Sequence, residues 1–142
     1  MTVQPLQRTV PLPSNISASA YIGALGGTLS IPSAGLIVVV PPLALMSRTH
    51  VTVTALAGSN VAYEFAPHGI KFLVPLVVTQ SLKNTQAQTG GLINPLSLKA
   101  AYFPDSSNVT SVTELLGVDV NLLSQTAVFS VWHFSGYILA GG

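Results

Sequence analysis

Residues 50–57 read HVTVTALA, and this stretch decides the fold class. Val51, Val53 and Ala55 would face one side of an extended chain, and Thr52 and Thr54 would face the other. An alternation of period two is typical of a β-strand with one face in the core and one face in water. The stretch therefore predicts a strand of an antiparallel sheet.

Short runs rich in Val, Ile, Leu and Thr fill the rest of the chain, between 12 Gly and 10 Pro. Short apolar runs separated by Gly and Pro are typical of an all-β sandwich or barrel. No window of helical length keeps a period of 3.6 residues. The best helix candidate is residues 112–116. Residues 70–82 contain Pro75 and should break into two pieces, and residues 83–94 should form the longest exposed loop. The other predicted strands are residues 18–24, 28–31, 36–40, 61–65, 96–103, 118–123, 127–134 and 137–140.

A chain of 142 residues is the size of one domain. Pro5, Pro11 and Pro13 cannot donate to a sheet, so residues 1–17 are expected to form an extended proline-rich arm without a sheet partner of its own. Residues 18–142 would form the β-sandwich domain. Its predicted core contains the aromatic residues Phe65, Phe72, Phe103, Phe129, Trp132 and Phe134.

The composition excludes several classes of protein. Hydrophobic residues make up 49% of the chain, which excludes a disordered protein. The five Lys and Arg residues are scattered, and a net charge of +1 does not provide the basic surface that nucleic acids need. There is no Cys, so disulfides and thiolate chemistry are excluded.

The sequence also constrains membrane insertion and location. The longest apolar run, residues 35–46, is too short for a spanning helix and is divided by Pro41 and Pro42. The N-terminus lacks the apolar stretch of a signal peptide, so either the protein is not exported or a leader has been removed. With a leader removed, an extracellular or cell-surface location is favoured. Asn15 and Asn108 begin glycosylation sequons that matter only on that route.

Three stretches of the sequence carry a resemblance to a known family. Residues 26–29 read GGTL and residues 40–45 read VPPLAL, and residues 67–75 then read PHGIKFLVP. In this order they resemble the ZU-five domain of zonula-occludens proteins, netrin receptors, ankyrins and bacterial surface proteins, with Leu43 standing where that family most often has Gly. The resemblance covers about residues 20–140. It implies an antiparallel β-sandwich that binds other proteins.

Residues 133–135, His-Phe-Ser, are the sharpest candidate for chemistry. In a strand, His133 and Ser135 would share a face, so the imidazole could act as base toward the hydroxyl. The tripeptide resembles the cleavage site of PIDD-type death-domain proteins, which implies attack of Ser135 on the Phe134 carbonyl and cleavage between the two residues. The alternative is a structural role, in which His133 forms hydrogen bonds at a sheet corner and Phe134 fills the core.

The remaining titratable residues do not suggest a site. His50, His68 and His133 lack any short spacing for metal ligands, and we expect no metal ion and no cofactor. The four acids are widely separated, and Asp105 lies in a PDSSN turn in which Asp usually bonds its own backbone. No small-molecule substrate is evident.

Charged residues make up only 6% of the chain. A free monomer usually carries several times more, so a partner or a second copy is expected to cover part of the surface. The sequence therefore predicts a non-catalytic protein-interaction or structural module, of a bacterial cell-surface or extracellular protein or of a self-assembling structure. The alternative is a self-processing domain that cleaves itself before Ser135.

Overall fold

The chain folds into β-strands joined by turns and loops, and the structure, a computed structural model, describes residues 1–141. Within these residues there are thirteen strands, two 3₁₀ turns at Pro32–Ala34 and Pro95–Ser97, and no α-helix. The strands are β1 (Gln7–Leu12), β2 (Ile16–Ile22), β3 (Gly27–Ile31), β4 (Leu36–Val40), β5 (Thr49–Ala55), β6 (Gly58–Asn60), β7 (Ala62–Ala66), β8 (Lys71–Ser81), β9 (Lys99–Phe103), β10 (Glu114–Leu116), β11 (Asp119–Asn121), β12 (Thr126–His133) and β13 (Gly136–Ala140).

The strands form two large sheets and one small one. The six-stranded sheet has the order β10-β9-β13-β7-β5-β2, and the five-stranded sheet has the order β11-β12-β8-β4-β3. A two-stranded sheet joins β1 to β6, and the paired strands are antiparallel throughout. The predicted all-β class with antiparallel sheets is therefore confirmed.

The strand predicted from residues 50–57 has the expected two faces. In β5, Val51, Val53 and Ala55 are fully buried, and Thr52 and Thr54 are half-buried on the other face. Most buried side chains of the two large sheets belong to one hydrophobic core, and a smaller second cluster lies on the outer side of the six-stranded sheet. The two sheets therefore stabilise each other through their inner faces.

Aromatic rings fill this core, in large part as predicted. The rings of Phe65 and Phe134 stack with centroids 5.5 Å apart, and Phe72 meets Phe134 edge-on at 4.8 Å. Phe129 is buried in the same core and Phe103 in the second cluster, so five of the six predicted core residues are confirmed as buried. Trp132 is the exception and is wrong: its side chain is 54% exposed because buried Val131 precedes it and successive residues of a strand point to opposite faces.

Residues 1–17 are not an arm without a sheet partner, and that expectation is corrected. Strand β1 pairs with β6, and β2 already begins at Ile16. Leu6 is fully buried, donates its N–H to Leu139 at 2.8 Å and accepts from the N–H of Val61 at 3.0 Å. The N-terminal segment is therefore hydrogen-bonded into the body of its own chain.

Three local predictions have different outcomes. Residues 70–82 were expected in two pieces, but β8 is one strand, and Pro75 lies where its ladder with β12 shifts register. The weak helix candidate at residues 112–116 is wrong, since β10 begins at Glu114. Residues 83–94 form a loop as predicted, although the loop buries Thr85 and Ala87.

Candidate functional site

The outer face of the five-stranded sheet is broad and carries few charges. Val38, Val78 and Phe129 point into the core, so their neighbours along each strand point outward. Strand register aligns the outward side chains in two rows, Thr28–Val39–Val77–Ser130 and Ser30–Ile37–Thr79–Val128. We call these eight residues the uncharged face, since neither row contains an acid, a Lys or an Arg.

Charges occur only at the ends of the uncharged face. Asp119 lies on the edge strand β11, opposite Val128 and therefore on the same side of the sheet. Lys71 lies at the start of β8 and is exposed, with buried Phe72 following it. Lys71 is at one end of the middle strand, and Asp119 is on an edge strand in line with the row that contains Val128. Trp132 lies beside the rows and is exposed. Because successive residues of a strand face opposite sides, its position directly after Val131 in the sequence already indicates that it points outward.

The opposite outer face, on the six-stranded sheet, is covered over part of its width. Ala62, Ala101 and Ile138 face outward there and belong to a second buried cluster. Toward the edge strand β2 the same face is open, since Ser17, Ser19 and Tyr21 are exposed. The uncharged face differs from that open part in exposing aliphatic side chains, Ile37 and Val39, near its centre.

Residues 133–135 form a corner where the chain passes from one sheet to the other. Strand β12 ends at His133 and β13 begins at Gly136, so His133 and Ser135 do not share a strand, and that premise of the sequence analysis is corrected. Backbone bonds fix the corner from both sides: Phe134 N–H donates to Ile70 at 2.9 Å, and Phe65 N–H donates to Ser135 at 2.9 Å.

The groups of this corner are arranged for packing. The His133 ring meets Tyr102 edge-on with centroids 4.9 Å apart, and within residues 1–141 no hydrogen bond joins it to the Ser135 hydroxyl. The Phe134 carbonyl accepts a long 3.4 Å bond from Gly69 N–H, and neither Phe134 nor Ser135 has a positive φ. The corner therefore has one weak donor at the carbonyl and no positioned base.

Tyr137 closes the same corner. Its hydroxyl donates to the carbonyl oxygen of His133 at 2.6 Å. Burial raises the pKa of Tyr137, and the nearby charge of Glu114 raises it further. The hydroxyl therefore remains a donor at neutral pH and holds the end of β12 against β13.

The histidines lie apart and have ordinary structural partners. His50 stacks on Tyr21 with ring centroids 4.6 Å apart, and His68 Nε2 lies 2.8 Å from Glu64 Oε2. Among residues 1–141, no group of three or more His, Cys, Asp or Glu side chains is placed to hold a metal ion.

The predicted Asp105 turn is confirmed. Its Oδ1 accepts from the N–H of Ser107 at 2.9 Å and from the Ser107 hydroxyl at 2.7 Å. Both hydrogen bonds lower the pKa of Asp105, and the bond from the Ser107 backbone N–H has the larger effect. The sequon residues Asn15 and Asn108 are both exposed.

Two comparisons with known proteins gave no match. No protein-family model matches the chain, and no curated protein sequence matches it. The described residues also contain no helix with the length and apolar character needed to cross a membrane.

Proposed function

We propose that this chain is a non-catalytic protein-interaction or structural module that pairs with a second copy of itself through the uncharged face. The ZU-five-like motif residues support an interaction module. The observation that carries the proposal is the face itself, with Ile37 48% and Val39 40% exposed and no acid, Lys or Arg in either row. A free antiparallel sheet usually presents polar side chains to water on its outer face.

The arrangement of charge favours a second copy as the occupant. Lys71 at the end of the middle strand and Asp119 on an edge strand carry opposite charges. A two-fold axis midway between them would place Lys71 of one copy over Asp119 of the other and, by symmetry, form the same pair twice. The uncharged rows would then meet without repulsion.

The size of the face is sufficient for a specific contact. Five strands about 4.8 Å apart, with about six residues each, give a footprint of about 500 Å² per copy. Two such faces bury about 1,000 Å² in total, which is near the lower limit for specific interfaces. Exposed Trp132 extends the contact with a residue type that is enriched in interface cores.

Sedimentation velocity over a range of protein concentrations tests the proposal. The wild-type chain should sediment as a dimer, and Val39→Lys and Val77→Lys should sediment as monomers because each introduces a charge at the centre of the interface. Leu92→Lys is the matched control, since Leu92 is 90% exposed on the loop of residues 83–94. It should leave the dimer unchanged.

Two results would contradict the proposal. A wild-type chain that remains monomeric at the highest concentration removes the second copy as the occupant. A dimer that survives both lysine substitutions assigns the contact to another surface. Circular dichroism of each variant separates loss of pairing from loss of folding.

A further inference from the structure

Arg8 is a buried cation without an anionic partner. Arg8 is only 8% exposed. Within residues 1–141, Arg8 takes part in no ion pair. Nη1 donates to the carbonyl oxygen of Asn60 at 2.7 Å, and Nη2 donates to the Tyr63 hydroxyl at 2.9 Å. Both acceptors are neutral, and the Tyr63 ring, whose centroid is 5.7 Å from Arg8 Cζ, adds a cation–π contact but no negative charge. A buried ion without a counter-charge is costly.

The acceptors of Arg8 are themselves fixed by a chain of hydrogen bonds. The Tyr63 hydroxyl donates to Gln80 Oε1, and Gln80 Nε2 donates to the carbonyl oxygens of Ala34 at 2.8 Å and Ser81 at 2.9 Å. Tyr63 and Gln80 are almost completely buried. The guanidinium is therefore held in one orientation, with only two of its five N–H groups used by the protein.

Arg8 lines an open groove of about 640 Å³ between β1, the 3₁₀ turn at Pro32–Ala34 and the end of β8. Lys83 adds a second cation to the lining, and none of the four acids of the chain contributes to it. Pro11, Pro13 and Pro32 supply rigid apolar walls. The groove has the size of a ligand site and a positive charge.

A second groove differs from it in charge. It has a volume of about 500 Å³ and lies between the loop after Leu82 and β11. No acid, Lys or Arg lines it. The chain has only nine charged side chains, and two of its five cations line the groove at Arg8 without an acid beside them. This charge distinguishes the groove at Arg8 from the second groove.

We propose that the groove at Arg8 binds a carboxylate, with the free N–H groups of Arg8 donating to the carboxylate oxygens and Lys83 supplying a second charge at the rim. The planar guanidinium fits a planar carboxylate with two parallel bonds. The carboxylate belongs either to a small organic acid or to an acidic residue of a peptide. This site is independent of pairing through the uncharged face.

Nuclear magnetic resonance titration of the full chain tests the site. The probes are sodium acetate, sodium succinate and the peptide acetyl-Ala-Asp-Ala-amide. Sodium chloride at equal ionic strength and the isosteric acetyl-Ala-Asn-Ala-amide serve as controls. We expect saturable shifts of the backbone amides of Ser33, Gly35 and Thr85, which line the groove. Tighter binding of succinate than of the Asp peptide would identify a small acid as the ligand, and the reverse order would identify a peptide.

Substitutions assign the effect to the two cations. Lys83→Gln should weaken binding about 2- to 5-fold, as expected for an exposed charge. Arg8→Met should weaken it by at least about 10-fold, as expected for bonds to a charged group. Lys99→Gln, at an exposed Lys outside the groove, should leave binding unchanged. If Arg8→Met fails to fold, the contrast between Lys83→Gln and Lys99→Gln decides.

Three results would overturn the site. One is an absence of saturable shifts with every carboxylate probe. Another is binding that Lys83→Gln and Lys99→Gln change equally. The third is inorganic phosphate binding as tightly as succinate, which would make the groove a general anion site instead of a carboxylate site.

Discussion

Gly26 packs directly against the carbonyl oxygen of Val40: a Cβ atom on Gly26 would lie 2.4 Å from that oxygen. Gly26 also has a φ of +78°, in the left-handed region. The stretches GGTL (residues 26–29) and VPPLAL (residues 40–45) therefore meet in space at this contact. The close approach joins the start of β3 to the end of β4.

Gly26→Ala should lower the free energy of unfolding more than Gly90→Ala. Both glycines have a φ of +78°, but a Cβ on Gly90 would meet nothing within 4 Å. Gly90→Ala should therefore cost only the left-handed penalty of about 1–2 kcal/mol. Gly26→Ala adds a clash with backbone that cannot move aside, and should cost at least about 1 kcal/mol more. Urea unfolding of the two variants measures the difference, and equal losses would contradict the contact.

Leu43→Gly should leave stability unchanged or raise it. Leu43 has a φ of 69°, in the left-handed region that favours Gly. Leu costs about 1–2 kcal/mol in that region, which offsets the unfolded-state entropy that Gly adds. Leu115→Gly, at a similarly exposed Leu in β10, should lower the free energy of unfolding by about 1 kcal/mol. Thermal unfolding compares the two, and a larger loss for Leu43→Gly would contradict the backbone conformation.

Local pattern predicts much of this fold and little of its long-range pairing. Residues 36–40 and the two faces of β5 follow from apolar runs and alternation, which act between neighbours. Trp132 lies outside the core because its position beside buried Val131, and not its residue type, decides which face of β12 it takes. The partners of Leu6 are Leu139 and Val61, and no local spacing indicates bonds at such separations.

The candidate sites, like the long-range pairing, cannot be predicted from local sequence pattern. The uncharged face depends on strand register, which aligns residues from four strands in each row. Arg8, Tyr63 and Gln80 meet only through tertiary packing, so the sequence presents them as three unrelated residues. Low overall charge indicated a covered surface but could not locate it.

We expect the chain to remain intact on long incubation at neutral pH. The His133 ring is engaged with Tyr102, and the Ser135 hydroxyl has no positioned base. Intact mass spectrometry should show one species for both the wild-type chain and Ser135→Ala. Two fragments divided between Phe134 and Ser135 in the wild type, and absent from Ser135→Ala, would establish self-cleavage instead.

Stability should fall as pH rises from about 10 to about 12. Burial raises the pKa of Tyr63 from 10.0 to about 12, although Arg8 opposes the shift. The unfolded chain then loses its tyrosine proton near pH 10, and the folded chain keeps it until about pH 12. Between these values the free energy of unfolding should decrease by about 2–3 kcal/mol from this group.

Urea unfolding of the wild type and Tyr63→Phe at intervals from pH 8 to pH 12 measures this decrease. Tyr63→Phe is less stable at pH 8 because Arg8 and Gln80 lose a partner. Its stability should nevertheless fall less steeply above pH 10. Parallel curves for the two proteins would show that Tyr63 does not carry the effect, and would leave Tyr137, whose pKa is also raised, as its source.

A charge exchange tests the two-fold geometry of the proposed dimer. Lys71→Asp and Asp119→Lys should each weaken pairing about 2- to 5-fold, since each places like charges together at two symmetric contacts. The double variant restores opposite charges and should regain wild-type affinity. Sedimentation equilibrium gives the three dissociation constants. Effects that add in the double variant, instead of cancelling, would show that Lys71 of one copy does not lie over Asp119 of the other.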